Sequence, residues 1–206
     1  MGTLKEHTSL INNIDITPDG RILASGSFDK TILLWDMELQ KSIGKLESHE
    51  LSVNSLKFSP DGKSLVSGSY DKTIRLWNVE NHKTISSHPA HRKYINCLEF
   101  SPDGMILASG SEDNTVLLWD VKRHKFLGKI EEHTSAVNSI AFSGNLMATG
   151  SSDRSIALWE DNTVLLWDVK RHKFLGKIEE HTSAVNSIAF SGNLMATGSS
   201  DRSIAL

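Results

Sequence analysis

The sequence predicts an all-β fold of about five four-stranded antiparallel units in radial repetition. Three observations carry this. Trp35, Trp77 and Trp119 stand 42 residues apart and Trp159 follows 40 later, which marks a structural repeat of about 40 residues. Each repeat opens on a histidine (His7, His49, His91, His133, His181) and holds short runs in which apolar and polar residues alternate, the pattern of half-buried strands. Helical periodicity is absent, and Gly, Pro, Asn and Asp gather between the runs.

Within a unit the first strand begins four residues after the histidine, as in Val53–Phe58 and Ile95–Phe100. A turn follows in Pro18-Asp19-Gly20, Pro60-Asp61-Gly62 and Pro102-Asp103-Gly104, where proline pre-sets φ and glycine accepts a positive one. It shortens to Ser143-Gly144-Asn145 and Ser191-Gly192-Asn193 in the last two units, which accounts for the 40-residue spacing. Second strands are expected over Ile22–Ser25, Ser64–Gly68, Ile106–Ser109, Leu146–Thr149 and Leu194–Thr197. A Gly-Ser-x-Asp turn leads to a third strand such as Ile74–Trp77. The fourth is weaker: Ser42–Leu46, Thr84–Ser86, Phe126–Ile130 and Phe174–Ile178, with no proline inside a strand. The units run over about 7–48, 49–90, 91–132, 133–180 and 181–206.

A second period cuts across the first. Residues 112–158 return letter for letter as 160–206, 47 residues shifted by 48, out of phase with the shorter repeat. At the seam two third-strand segments, Ile156–Trp159 and Val164–Trp167, stand in tandem. In one arrangement Val164–Trp167 pairs with Ile156–Trp159 and becomes the fourth strand, leaving Phe174–Ile178 as an extra edge strand or loop. In the other, Val164–Trp167 bulges out and Phe174–Ile178 keeps its place. The first is expected, because Glu-Asp-Asn-Thr is good turn chemistry.

Composition narrows the class. The net charge is −3, with 22 Lys+Arg against 25 Asp+Glu, which disfavours nucleic acid and anionic membranes as partners. Cys97 is the one cysteine, so no intrachain disulfide forms. The first residues lack the pattern of a signal peptide, Glu6 breaks a myristoylation signal, and no run of 18 apolar residues occurs. An intracellular protein, cytoplasmic or nuclear, is the expectation.

The units resemble blades of the WD-repeat (WD40) β-propeller family. The resemblance rests on Trp35-Asp36, Trp119-Asp120 and Trp167-Asp168, softened to Trp77-Asn78 and Trp159-Glu160, and on a near-intact Leu-Ala-Ser-Gly-Ser-x-Asp-x-Thr-Ile-x-Leu-Trp in the first three units. It implies a β-propeller-like array of about five blades. The array is either incomplete and open, or closed by a strand from residues 2–6, since Thr3–Lys5 aligns with the fourth-strand segment before His133.

The resemblance also implies a hydrogen-bonded tetrad in each blade. The matching residues are His7, Ser25, Asp29 and Trp35; His49, Ser67, Asp71 and Trp77; His91, Ser109, Asp113 and Trp119; His133, Thr149, Asp153 and Trp159; and His181, Thr197 and Asp201, whose tryptophan has no counterpart. A buried indole N–H needs an acceptor, a hydroxyl can relay to an imidazole, and a carboxylate fixes the tautomer. A Ser–His–Asp set that recurs in every unit is a packing device rather than a hydrolase site, and no Gly-x-Ser-x-Gly elbow accompanies it. The other histidines, His82, His88, His124 and His172, lack ligand spacing, so no metal, cofactor, small-molecule substrate or catalytic residue is assigned. Lys122–Lys125 and its copy Lys170–Lys173 read as solvated basic loops.

The function implied by the resemblance is a non-catalytic scaffold for protein–protein interaction. The residue before each tetrad aspartate is Phe28, Tyr70, Glu112, Ser152 or Ser200, and Leu10, Leu51, Arg92, Lys93 and Tyr94 lie in neighbouring loops. Aromatic and Arg side chains dominate binding hot spots, so Phe28, Tyr70, Arg92, Lys93 and Tyr94 form the candidate partner site. Two alternatives remain. One is a substrate-receptor or adaptor subunit of a ubiquitin ligase, weakened because no Trp-Asp-x-Arg occurs. The other is a truncated piece of a longer WD-repeat protein without independent function.

Overall fold

Alternating side chains and Gly/Pro turns leave the chain only short strands to form, and the structure, a computed structural model, contains nineteen of them and no helix among the residues it describes, 2–160, 173–192 and 194–206. The first sheet orders β1 (Ile11–Ile16), β2 (Ile22–Ser27), β3 (Thr31–Asp36) and β4 (Lys41–Glu47) as a meander. The second does the same with β5 (Val53–Phe58), β6 (Ser64–Ser69), β7 (Thr73–Asn78) and β8 (Thr84–Pro89). The third holds β9 (Ile95–Phe100), β10 (Ile106–Ser111), β11 (Val116–Asp120) and β12 (Lys125–Ile130). The fourth holds β13 (Val137–Ser143), β14 (Leu146–Ser151), β15 (Ile156–Glu160) and β16 (Lys173–Ile178). The fifth has three strands, β17 (Val185–Ser191), β18 (Leu194–Ser199) and β19 (Ile204–Ala205). A four-strand antiparallel meander of this kind is the blade unit of a β-propeller.

The chain divides into two compact units, Met1–Leu98 and Glu99–Leu206. In the first, the core lies between the first two sheets: Ala24, Ile32 and Leu34 pack with Val53, Leu56, Phe58, Leu65 and Trp77. Side chains of this kind each contribute about 1.5–3 kcal/mol on burial. The approach is close enough to require glycine. A Cβ on Gly26 would sit 2.8 Å from Val53 Cγ1. The second unit repeats the device, with Ala148, Ile156 and Val185 in its core, and a Cβ on Gly150 would sit 2.8 Å from Val185 Cγ1.

The first strands are not plain alternating strands. The register slips between Ile11 and Asn13, Val53 and Ser55, Val137 and Ser139, and Val185 and Ser187. The extra residue is an asparagine each time: Asn12, Asn54, Asn138 or Asn186. A β-bulge of this kind re-aims one side chain.

Two expectations need correction. The fourth strand of the fourth sheet is β16, not Val164–Trp167, which lies outside the described residues. β16 repeats the sequence of β12 and uses the same register: Ile178 faces Ile156 as Ile130 faces Val116, and Phe174 faces Trp159 as Phe126 faces Trp119. The pairing that suits this hexapeptide in one sheet is kept in the next. Of the two arrangements left open for residues 2–6, the closing strand is not the one present: they form no strand, and Ile11, Ile14 and Ile16 of β1 are exposed. A proline does enter a strand, as Pro89 at the end of the edge strand β8, where no ladder hydrogen bond from nitrogen is required.

Candidate functional site

The loop end of the first unit is built on two copies of one turn. Ser27-Phe28-Asp29-Lys30-Thr31 and Ser69-Tyr70-Asp71-Lys72-Thr73 each place a lysine at positive φ, 73° for Lys30 and 69° for Lys72. The aspartate makes that conformation tolerable by closing the turn on itself. Asp29 Oδ1 accepts from the Thr31 hydroxyl at 2.6 Å and from its backbone N–H at 3.0 Å, and Asp71 does the same with Thr73 at 2.6 and 2.9 Å. The Ser27 and Ser69 hydroxyls each accept the aspartate's own N–H at 3.0 Å.

The other carboxylate oxygen reaches the histidine. His7 Nδ1 donates to Asp29 Oδ2 at 2.8 Å and His49 Nδ1 to Asp71 Oδ2 at 2.7 Å. An ionised carboxylate can only accept, so the proton sits on Nδ1 and Nε2 is left as an acceptor. The Ser25 and Ser67 hydroxyls therefore donate to His7 and His49 Nε2 at 2.7 Å. Each hydroxyl oxygen in turn accepts an indole N–H, from Trp35 or Trp77, at 2.8 Å. The relay Trp to Ser to His to Asp is thus fully satisfied in the first two sheets. Burial works against the charge on Asp29 and Asp71, but donors outweigh it, Thr31 and His7 on one and His49 and Thr73 on the other. Both carboxyls are held well below the usual carboxylate range.

In the second unit Trp119 Nε1 donates to Ser109 Oγ at 3.3 Å, and Asp113 takes the Thr115 hydroxyl at 2.6 Å. His133 bridges Asp153 at 2.9 Å and Thr149 Oγ1 at 2.8 Å, and His181 bridges Asp201 at 3.0 Å and Thr197 Oγ1 at 2.9 Å. The side chain of Trp159 lies outside the described part. Burial opposes the charge on Asp153, but hydrogen bonds from Ser155 and the Thr134 N–H prevail and lower its pKa to about 2. For Asp201 the Ser203 hydroxyl is the main cause of a downward shift. His91, the remaining member, is buried.

These Ser–His–Asp sets are closed to substrate. Ser25 is 1% exposed, and its oxygen is already engaged by an indole. A nucleophile needs an open face and a nearby oxyanion hole. Among the described residues no group of three His, Cys, Asp or Glu side chains is placed to hold a metal ion.

Two recurring residue sets were not singled out in the sequence. One is the hydroxyl two residues after each aspartate: Thr31, Thr73, Thr115, Ser155 and Ser203. The other is the bulge asparagine. Asn12 Nδ2 donates to the Val53 carbonyl at 2.9 Å, Asn54 to that of Ile95 at 3.0 Å, and Asn138 to that of Val185 at 2.9 Å, each reaching the next sheet. The signal was present: an asparagine stands five residues after every opening histidine.

Above the first unit's turns three rings come together. Phe28 meets Tyr70 edge-on, with centroids 6.0 Å apart at 82°, and Tyr70 stacks on Tyr94 at 4.3 Å and 13°. Phe28 and Tyr94 stay 43% and 39% exposed, and Arg92 and Lys93, just before Tyr94, are exposed. Leu10 and Leu51 are exposed in the same loops, Leu10 through its carbonyl receiving the Phe28 N–H at 2.9 Å. At the equivalent positions the second unit has Glu112, Ser152 and Ser200, with Ala136 and Ala184 where Tyr94 stands. The framework of the turns repeats; the side chains it presents do not.

Two family models match the chain. The model described as IFT122 first beta-propeller covers residues 1–159, and the model for the WD domain, G-beta repeat, covers residues 172–206. Residues 160–171, where the identical copy begins, lie between them. No curated protein matches the chain.

Proposed function

The chain belongs to the WD40-repeat β-propeller family, its first three quarters matching the IFT122 first beta-propeller, and from that premise we propose that it is a scaffold that holds a protein partner on the loop end of its first unit. Domains of this family serve in general as non-enzymatic platforms that bind other proteins. The observation that supports this site is the continuous contact of Phe28, Tyr70 and Tyr94 on a turn framework whose own hydrogen bonds are complete. Rigid aromatic side chains bring large contact area at small entropic cost, and here that rigidity comes from stacking in the free protein.

The test is a comparison of partner retention by the wild-type chain, the double variant Phe28→Ala and Tyr70→Ala, and a control carrying Ser152→Ala and Ser200→Ala at the equivalent turns. Retention lost by tenfold or more in the aromatic variant alone, with melting temperatures unchanged, supports the site. Equal retention by all three overturns it.

A further inference from the structure

The loops around the three rings carry an uneven set of charges. Lys72, Arg92 and Lys93, in the loops of Tyr70 and Tyr94, and Lys30, beside Phe28, are exposed; the exposed carboxylates at this end are Glu6 and Glu47, just ahead of the opening histidines, and Glu50. The two turn aspartates are sunk, at 10% and 6% side-chain exposure for Asp29 and Asp71, with both oxygens engaged by donors from the protein. This concentration of cations runs against the net charge of the chain, which is −3. At the matching second-unit turns the residue before each aspartate is Glu112, Ser152 or Ser200, and no ring is present.

We propose that the Phe28–Tyr70–Tyr94 row and its lysine and arginine rim bind an acidic peptide segment with an apolar anchor. The inference rests on the partner site assigned above and names the chemistry of its partner. The two centroid steps, 6.0 and 4.3 Å, span at most about 10 Å, the reach of about three extended residues. A short extended segment therefore covers the row with one large apolar side chain against Phe28 and Leu51. Its flanking Asp or Glu side chains then meet Lys72, Arg92 and Lys93, which lie close together because the Lys72 carbonyl accepts the N–H groups of Ala90 and His91 at 3.0 and 3.3 Å. Complementary charge of this kind sets orientation and association rate, and the ring row supplies the desolvated centre. A single-stranded nucleic acid would also find rings and cations here, but four cations on a chain of net negative charge give a weak electrostatic footprint for it.

The experiment uses fluorescence anisotropy with three labelled 12-residue peptides of common Leu-Phe centre, flanked by Glu, Gln or Lys, and an oligothymidine of eight nucleotides. The proteins are the full chain, Lys72→Glu with Lys93→Glu, and Tyr70→Ala. Binding of the Glu peptide at least tenfold tighter than the Lys peptide, weakened by salt and reversed in preference by the double lysine variant, supports the proposal. Binding that ignores flank charge yet falls in Tyr70→Ala overturns the acidic class and leaves the aromatic site standing. Binding unchanged in Tyr70→Ala overturns the site itself, and so does failure of every peptide to bind. Oligothymidine bound tighter than the Glu peptide overturns the choice of a peptide. The lysine substitutions lie on the surface, so charge preference stays readable even if Tyr70→Ala unfolds.

Discussion

Asn12 Nδ2 donates to the Val53 carbonyl at 2.9 Å and to the Ser52 hydroxyl at 2.8 Å, joining the first sheet to the second across 41 residues of chain. The bulge at Asn12 is what lets this side chain leave the alternation of β1 and face its neighbour. Backbone polar groups at a sheet-to-sheet junction would otherwise be half satisfied.

Asn12→Ala should therefore loosen this junction. Loss of a hydrogen bond that leaves a carbonyl short of a donor costs about 1–2 kcal/mol. Denaturant titration of the variant should show a lowered midpoint, whereas Asn186→Ala, whose side chain donates to Ser200 in the turn after β18 and, among the described residues, to no other sheet, should change it less. Equal losses would show that the crossing bond contributes nothing.

Asp71→Ala removes the acceptor for His49 Nδ1, the Thr73 hydroxyl and the backbone N–H groups of Glu50 and Thr73. The expected cost is about 2–4 kcal/mol, in the range of broken buried networks. Amide exchange should quicken first in β6 and β7, around the relay that ends on Trp77. A melting temperature equal to wild type would contradict the structural role of the relay.

Gly26→Ala places a methyl 2.8 Å from Val53 Cγ1 and 3.0 Å from Leu56 Cδ2. Both neighbours are buried side chains with little room to retreat, so a loss of about 1–3 kcal/mol is expected. The compensating variant Gly26→Ala with Val53→Ala should recover part of it in the same titration.

Asp153 gives stability a definite acid limb. Its pKa is lowered from 3.8 to about 2 in the folded chain, so the folded state prefers the ionised form. That contribution, on the order of 2 kcal/mol, is fully present above the unfolded value and disappears as pH falls from 3.8 to about 2. Asp29, Asp71 and Asp201 shift in the same direction and lose their contributions on the same acid side. Urea midpoints of wild type and Asp153→Asn should differ at pH 6 and converge near pH 2. A gap that stays constant across that range would contradict the linkage.

Much of the fold is readable along the chain. The second and third strands sit within one or two residues of their expected bounds, since alternation ended by Gly-Ser-x-Asp is a local pattern. The candidate site was legible as residue types and spacing: Phe28 and Tyr70 share one turn position, and Tyr94 lies in a loop after a histidine. That the three rings form one row was not legible, because it depends on how neighbouring sheets bring their turns together. The bulge asparagines were visible as a repeat but carried no meaning without a neighbour to reach.

The seam separates the two kinds of information most clearly. Residue alternation and turn composition, which act over a few neighbours, already make strands of both Ile156–Trp159 and Phe174–Ile178, and they assign the family through motifs that recur every 40 to 42 residues. Which segment completes the fourth sheet is another matter. Val164–Trp167 is nearer in sequence and follows a good turn, yet β16 takes the place beside β15, with the register β12 uses against β11. Local propensity is equal for such competitors, so the choice falls to long-range pairing, which no short stretch of sequence contains.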